Sequence, residues 1–109
     1  MTIPSLTDVF GSGATQTATT VTIAKADFPT LTASATNNGQ QLFTAMLLKA
    51  AAKLSSANRT ADADIKITIE YGGQTIFPLA GSENLDRQDS YSIVLHKQVP
   101  KADVDPDDY

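Results

Sequence analysis

Residues 64–71 read Asp-Ile-Lys-Ile-Thr-Ile-Glu-Tyr, an unbroken alternation that puts Ile65, Ile67, Ile69 and Tyr71 on one face and Asp64, Lys66, Thr68 and Glu70 on the other. Successive side chains of a strand point to opposite faces, so only a β-strand separates these two sets. The pattern predicts a central or near-central strand with its isoleucines in the core and its charges in water. Gly72-Gly73 follows and reads as a hairpin turn pair, after which residues 74–79 return as a strand with Pro78 marking an edge or an end. A polar connection over 80–89 leads to a last strand over 90–99, with Tyr91, Ile93, Leu95 and Val99 facing inward and Pro100 closing it.

A second strong signal lies upstream. Asn38 is a good N-cap and Gln41 stands three residues on, the spacing of a capping box. The residues beyond them, dense in Ala, Leu and Lys, predict a helix over 39–56. Projected at about 100° per residue, Leu42, Phe43, Met46, Leu47, Ala50 and Leu54 form a stripe wide enough to cover a small sheet. The opposite surface is small and weakly polar, formed by Gln41, Thr44, Ala45, Leu48, Ala51 and Ala52, where a lone surface helix carries charges. Small side chains allow another element to approach closely, so Ala45, Leu48 and Ala52 are the candidate subunit contact.

Before the helix, residues 20–25 alternate Thr-Val-Thr-Ile-Ala-Lys and predict a first strand, ended by Asp27 and Pro29. Residues 1–19 are Thr- and Gly-rich and read as an extended N-terminal arm. The expected fold is therefore α+β: a small four-stranded, mainly antiparallel sheet with one helix packed on one face, in the order β-α-β-β-β. The chain has 109 residues and is 41% hydrophobic, enough for one core. The division is an arm over 1–19, a single α+β domain over 20–100 and an acidic disordered tail over 101–109.

Charge and composition narrow the function. The net charge is −4, and the last nine residues hold one Lys against Asp103, Asp105, Asp107 and Asp108, a balance of −3 that leaves a nearly neutral body. Its cationic side chains are scattered, which argues against nucleic-acid binding. The longest apolar stretch, over 42–54, is broken by Thr44, Lys49 and Lys53 and is too short to span a bilayer, so no membrane partner is expected. No signal-like segment opens the chain, so the expected location is cytoplasmic, or virion-associated if phage-encoded.

With no cysteine, thiolate metal sites and cysteine nucleophiles are excluded. His96, the one histidine, cannot form a two-histidine metal site, and strand parity points it to the solvent side. No serine sits in a Gly-x-Ser-x-Gly turn. The tail over 103–108 alternates carboxylates like the start of a calcium loop but lacks its central Gly and closing Glu. Gly11-Ser12-Gly13 lacks the residues of a phosphate-binding loop and reads as a flexible joint, and Asn58-Arg59-Thr60 matches a glycosylation acceptor by chance. No catalytic, cofactor-binding or metal-ligating residue is expected. An enzyme site would have only Tyr91, Glu70, Asp64, Arg59 and Arg87 to draw on, at a subunit boundary.

A Thr/Gly-rich arm on a small α+β body has the general compositional character of phage or bacterial structural and accessory proteins. The expected function is a non-enzymatic structural or assembly module that forms a homo-oligomer. The alternative is a small-molecule or peptide-binding module using a sheet edge or a subunit-boundary pocket.

Overall fold

The computed structural model describes residues 2–78, 84–97, 104 and 106–109. Within them the chain is α+β. The elements are α1 (Leu6–Phe10), β1 (Thr15–Gln16), β2 (Val21–Thr22), α2 (Gly39–Lys53), α3 (Ser56–Ala61), β3 (Ile67–Pro78) and β4 (Leu85–Leu95), with single 3-10 turns at Lys25–Asp27 and Pro106–Asp108.

Helix α2 starts where the capping pattern places it. The Asn38 side chain accepts from the Gln41 amide at 2.9 Å, and the Gln41 side chain accepts in return from the Asn38 amide at 3.0 Å. It ends at Lys53, a turn short of the expected Ser56, because Ser55 opens a new helix: its hydroxyl accepts from the Asn58 amide at the start of α3. The Asn58 side-chain amide then donates back to the Lys53 carbonyl at 2.9 Å and the Ala52 carbonyl at 3.3 Å, covering orphan acceptors at the end of α2.

Among the described residues the strands do not join in one four-stranded sheet. Two separate two-stranded antiparallel sheets take its place, β1 with β2 and β3 with β4. The strand expected over 20–25 shrinks to Val21 and Thr22 because it folds back on its own arm. Thr17 and Thr20 close the connection, with the Thr17 amide donating to the Thr20 carbonyl at 2.9 Å and their hydroxyls 2.7 Å apart. The Asp27 carboxylate fixes the preceding loop, accepting from the Gly13 amide at 2.7 Å and the Ser12 hydroxyl at 3.3 Å. Gly11 has φ +106°, and a Cβ there would meet the Asp27 Cβ at 2.4 Å, so glycine is required. The arm also contains α1, which packs on α2 and is opened by a Ser5–Asp8 capping box.

The second correction concerns the hairpin. Gly72-Gly73 is not its turn: β3 runs through it to Pro78, and β4 begins at Leu85, inside the stretch expected to be a connection. Tyr71 pairs with Tyr91 and Gly73 with Ser90, so Gly72 is an extra residue and the pair forms a bulge, with Gly73 at φ +119°. One added residue reverses side-chain parity. The odd-numbered apolar set of β3 is thereby continued by the even-numbered Ile76, while β4, which has no bulge, keeps odd parity throughout. One face of the hairpin therefore carries Ile67, Ile69, Tyr71, Ile76, Leu85, Tyr91, Ile93 and Leu95 in a single band.

The core covers only one corner of that band. Ala50, Leu54, Ile65 and Ile69 are buried together, with Val9, Leu47, Ala51, Ile67 and Tyr91 packed around them. Ile65 is 1% exposed yet precedes the strand, in the turn where its amide donates to the Asp62 carbonyl. The Ile69 amide donates to the Leu54 carbonyl at 2.7 Å, so the outer edge of β3 is tied to the end of α2. The inward roles expected for Ile93 and Leu95 are not met: both are exposed, Ile93 at 54%. Phe43, assigned to the core stripe of the helix, is 66% exposed. On the other face Thr68, expected in water, is buried beneath His96, whose Nε2 lies 3.1 Å from the Thr68 hydroxyl, and His96 itself is half-buried. Leu79, Val99 and residues 101–103 and 105 of the acidic tail lie outside the described residues, while Pro106–Asp108 forms its turn.

Candidate functional site

A groove of about 490 Å³ opens between α2 and the middle of the hairpin, lined by Thr44, Leu47 and Leu48 from the helix and Tyr71, Arg87, Asp89 and Tyr91 from the strands. The tyrosine rings meet edge to face with centroids 5.3 Å apart, the geometry their quadrupoles favour. The Tyr71 hydroxyl donates to Asp89 Oδ1 at 2.7 Å. Arg87 grips the same carboxylate with two nitrogens, Nε to Oδ2 at 3.1 Å and Nη2 to Oδ1 at 3.2 Å. The groove thus has an apolar wall, an aromatic pair and one self-neutralised polar clasp.

The electrostatics of the clasp do not favour proton transfer. The hydrogen bond to Asp89 pushes the Tyr71 phenol above its ordinary range, with loss of hydration adding to the effect. The bond from Tyr71, followed by Arg87, holds the Asp89 carboxyl below the usual carboxylate range, and Asp89 in turn raises Arg87. At neutral pH the phenol stays protonated and the carboxylate stays charged. A general acid or base works best with a pKa near the operating pH, and these shifts move Tyr71 and Asp89 away from it.

The residues that could have supplied an enzyme site are separated. Arg87 and Tyr91 line the groove, but the carboxylate of Glu70, on β3, accepts from the Ser56 amide at the start of α3 and is held below its ordinary pKa by that bond. Asp64 lies in the turn before β3, its amide donating to Asp62 Oδ1 at 3.0 Å. Arg59 lies on α3, and its Nε is buried without a hydrogen-bond partner among the described residues. Among the described residues no group of three or more His, Asp or Glu is placed to hold a metal ion.

The candidate contact residues divide by burial. Ala45 is buried within the chain, Leu48 is half-buried and lines the groove, and Ala52 is exposed. Asp89, Tyr71 and Leu47 were not singled out as site residues; the signal for them was the parity change between Tyr71 and Ile76, which only a bulge reconciles with one apolar face. No helix among the described residues is long and apolar enough to cross a membrane. Comparison of the chain with protein-family models, with curated proteins and with solved structures found no match.

Proposed function

We propose that the chain is a non-enzymatic structural or assembly module that completes its fold as a homo-oligomer. The observation that carries this reading is the surface left uncovered. The accessible surface is 7967 Å², whereas a folded monomer of 11.5 kDa exposes about 5,800 Å². The surplus is about 2,000 Å² for each chain, so two chains together have about 4,000 Å² to remove from water, within the range that obligate homodimer interfaces bury. The radius of gyration agrees, at 16.8 Å against about 13 Å for a compact domain of this length. On the hairpin, Ile76, Leu85, Ile93, Val94 and Leu95 are all exposed. A two-stranded hairpin with such a face is marginal by itself and gains most from being covered.

Light scattering on the intact chain tests the proposal. A mass that is a multiple of 11.5 kDa is expected, and a mass of 11.5 kDa at the highest soluble concentration overturns it.

A second reading, a binding module for a small molecule or short peptide, is favoured by the groove itself, whose leucines and tyrosines suit an apolar group. Titration with short apolar peptides, followed by tyrosine fluorescence, tests it: saturable quenching that Leu48→Glu abolishes supports this reading, and no change in emission counts against it.

A further inference from the structure

The two edges of the β3–β4 sheet are not equivalent. Near the core the edge of β3 is occupied, because the Ile69 amide is bonded to Leu54 at the end of α2. The edge of β4 pairs with no strand among the described residues. Backbone geometry identifies which of its groups face outward. The His96 amide donates to the Lys66 carbonyl at 2.7 Å, one step beyond the Ile67–Leu95 pair and in the same register. Antiparallel strands alternate hydrogen-bonded and non-hydrogen-bonded pairs, so His96, Val94 and Ser92 turn their backbone groups toward β3. Tyr91, Ile93 and Leu95 turn theirs to the free edge. Natural edge strands are guarded by Lys, Pro, bulges or inward charges. The segment from Ser90 to Leu95 has none of these, while Ile93, Val94 and Leu95 are exposed.

Resting on the assembly reading above, we infer that two copies join antiparallel along β4 about a two-fold axis at Ile93, making one continuous sheet in the order β3-β4-β4-β3. Opposed residues must share a face, which fixes the parity of the register. With Ile93 opposite Ile93 of the second copy, Tyr91 faces Leu95, and each of these pairs exchanges both backbone hydrogen bonds. Ser90 and Ser92, with small polar side chains, then fall opposite His96 and Val94 on the other face. Moving the axis one residue toward Ser92 sets Arg87 opposite Lys97 and Asp89 opposite Leu95. Moving it toward Val94 sets Tyr91 opposite Lys97. The Ile93 register is the one of these three that gives each of Tyr91, Ile93 and Leu95 an apolar partner without setting a charged residue against any of them. Helices α2 and α3 both pack on β3, and α2 also faces Tyr91 of β4 across the groove, so Ile93 and Leu95 are the apolar part of the edge away from the helix.

Cysteine cross-linking of the intact chain tests the register, since the natural sequence has no thiol to interfere. Hydrogen-bonded antiparallel partners have Cα atoms about 5.5 Å apart, inside the range a disulfide spans. Ile93→Cys should form a disulfide-linked dimer on mild oxidation at least about tenfold faster than Ile76→Cys, because pairing raises the effective thiol concentration. Ile76 is the fitting control because both side chains are 54% exposed. Ile93→Pro removes an outward amide that β3 does not use, so it should retain the circular dichroism of the parent and sediment as a monomer. If the parent associates but Ile76→Cys cross-links as fast, or Ile93→Pro keeps the parent's mass, the β4 junction is overturned while the assembly reading stands. If the parent is monomeric, both fall together.

Discussion

Replacing Ile65 with Ala should remove a large share of the stability of the fold. Ile65 is the one side chain among the described residues that is large and fully buried, and it belongs to a buried cluster with Ala50, Leu54 and Ile69. The change deletes three carbon atoms, and at about 0.8 kcal/mol for each buried carbon the transfer loss is about 2.4 kcal/mol. The cavity left behind adds to this, because strand backbone and helix cannot close fully on it, and the total comes to about 3–4 kcal/mol. A small domain holds about 5–15 kcal/mol in all. Urea unfolding followed by far-ultraviolet circular dichroism reads the loss directly: with a slope of about 1–3 kcal/mol per molar urea, the midpoint should fall by about 1–4 M. The matched control is Ile93→Ala, on the uncovered side of the hairpin, measured at a concentration where the chain is monomeric. It should cost no more than about 0.5 kcal/mol. Equal costs for the two substitutions would refute the placement of the core under β3.

Three further outcomes follow from particular bonds. Asn38→Ala removes the cap of α2 and should cost about 1 kcal/mol, seen as a fall of about 4–8 °C in melting temperature. Gly11→Ala forces a side chain into Asp27 at positive φ and should cost more than about 1 kcal/mol, with faster amide exchange at Gly13, whose amide Asp27 holds. The clasp gives a pH signature: Asp89 is lowered on folding, so its contribution is present above the ordinary carboxylate range and is lost as pH falls through the depressed value. Tyr71 is raised, so its share is present below the ordinary phenol range and is lost as pH rises through the elevated value. Asp89→Asn should bring the Tyr71 phenol back toward its ordinary pKa, measured by ultraviolet titration; an unchanged titration would show that the bond is not made.

Local chemistry was legible in the sequence, whereas the pairing of distant segments was not. The capping box at Asn38 and Gln41 depends on neighbours a few residues away and formed as read, whereas the alternation leading into Tyr71 formed a strand only from Ile67, with Ile65 buried in the turn before it and Thr68 buried on the face expected in water. Gly72-Gly73 has the composition of a turn, and only the shift of Ile76 out of phase with Tyr71 distinguishes a bulge from one. The short helices escaped because a five- or six-residue helix has no apolar period, although Ser5 and Asp8 carry the spacing of a cap. The sheet was overcounted because alternation identifies a strand without identifying its partner: Val21 alternates as well as Ile67 but pairs with Gln16 of its own arm. In the groove, Arg87 and Tyr91 were visible as chemistry, but their meeting with Tyr71 and Asp89 depends on the register of the bulged hairpin.

Amide hydrogen exchange at Tyr91, Ile93 and Leu95, read residue by residue at low and high protein concentration, tests most directly whether another copy covers the free edge. These amides point away from β3, so in an isolated chain they should exchange quickly while those of Ser92 and Val94 are protected. Slowing of all three as concentration rises, in step with the measured mass, is expected. Fast exchange at these positions in a fully associated sample would place the subunit contact elsewhere, and fast exchange with no rise in mass would contradict assembly itself.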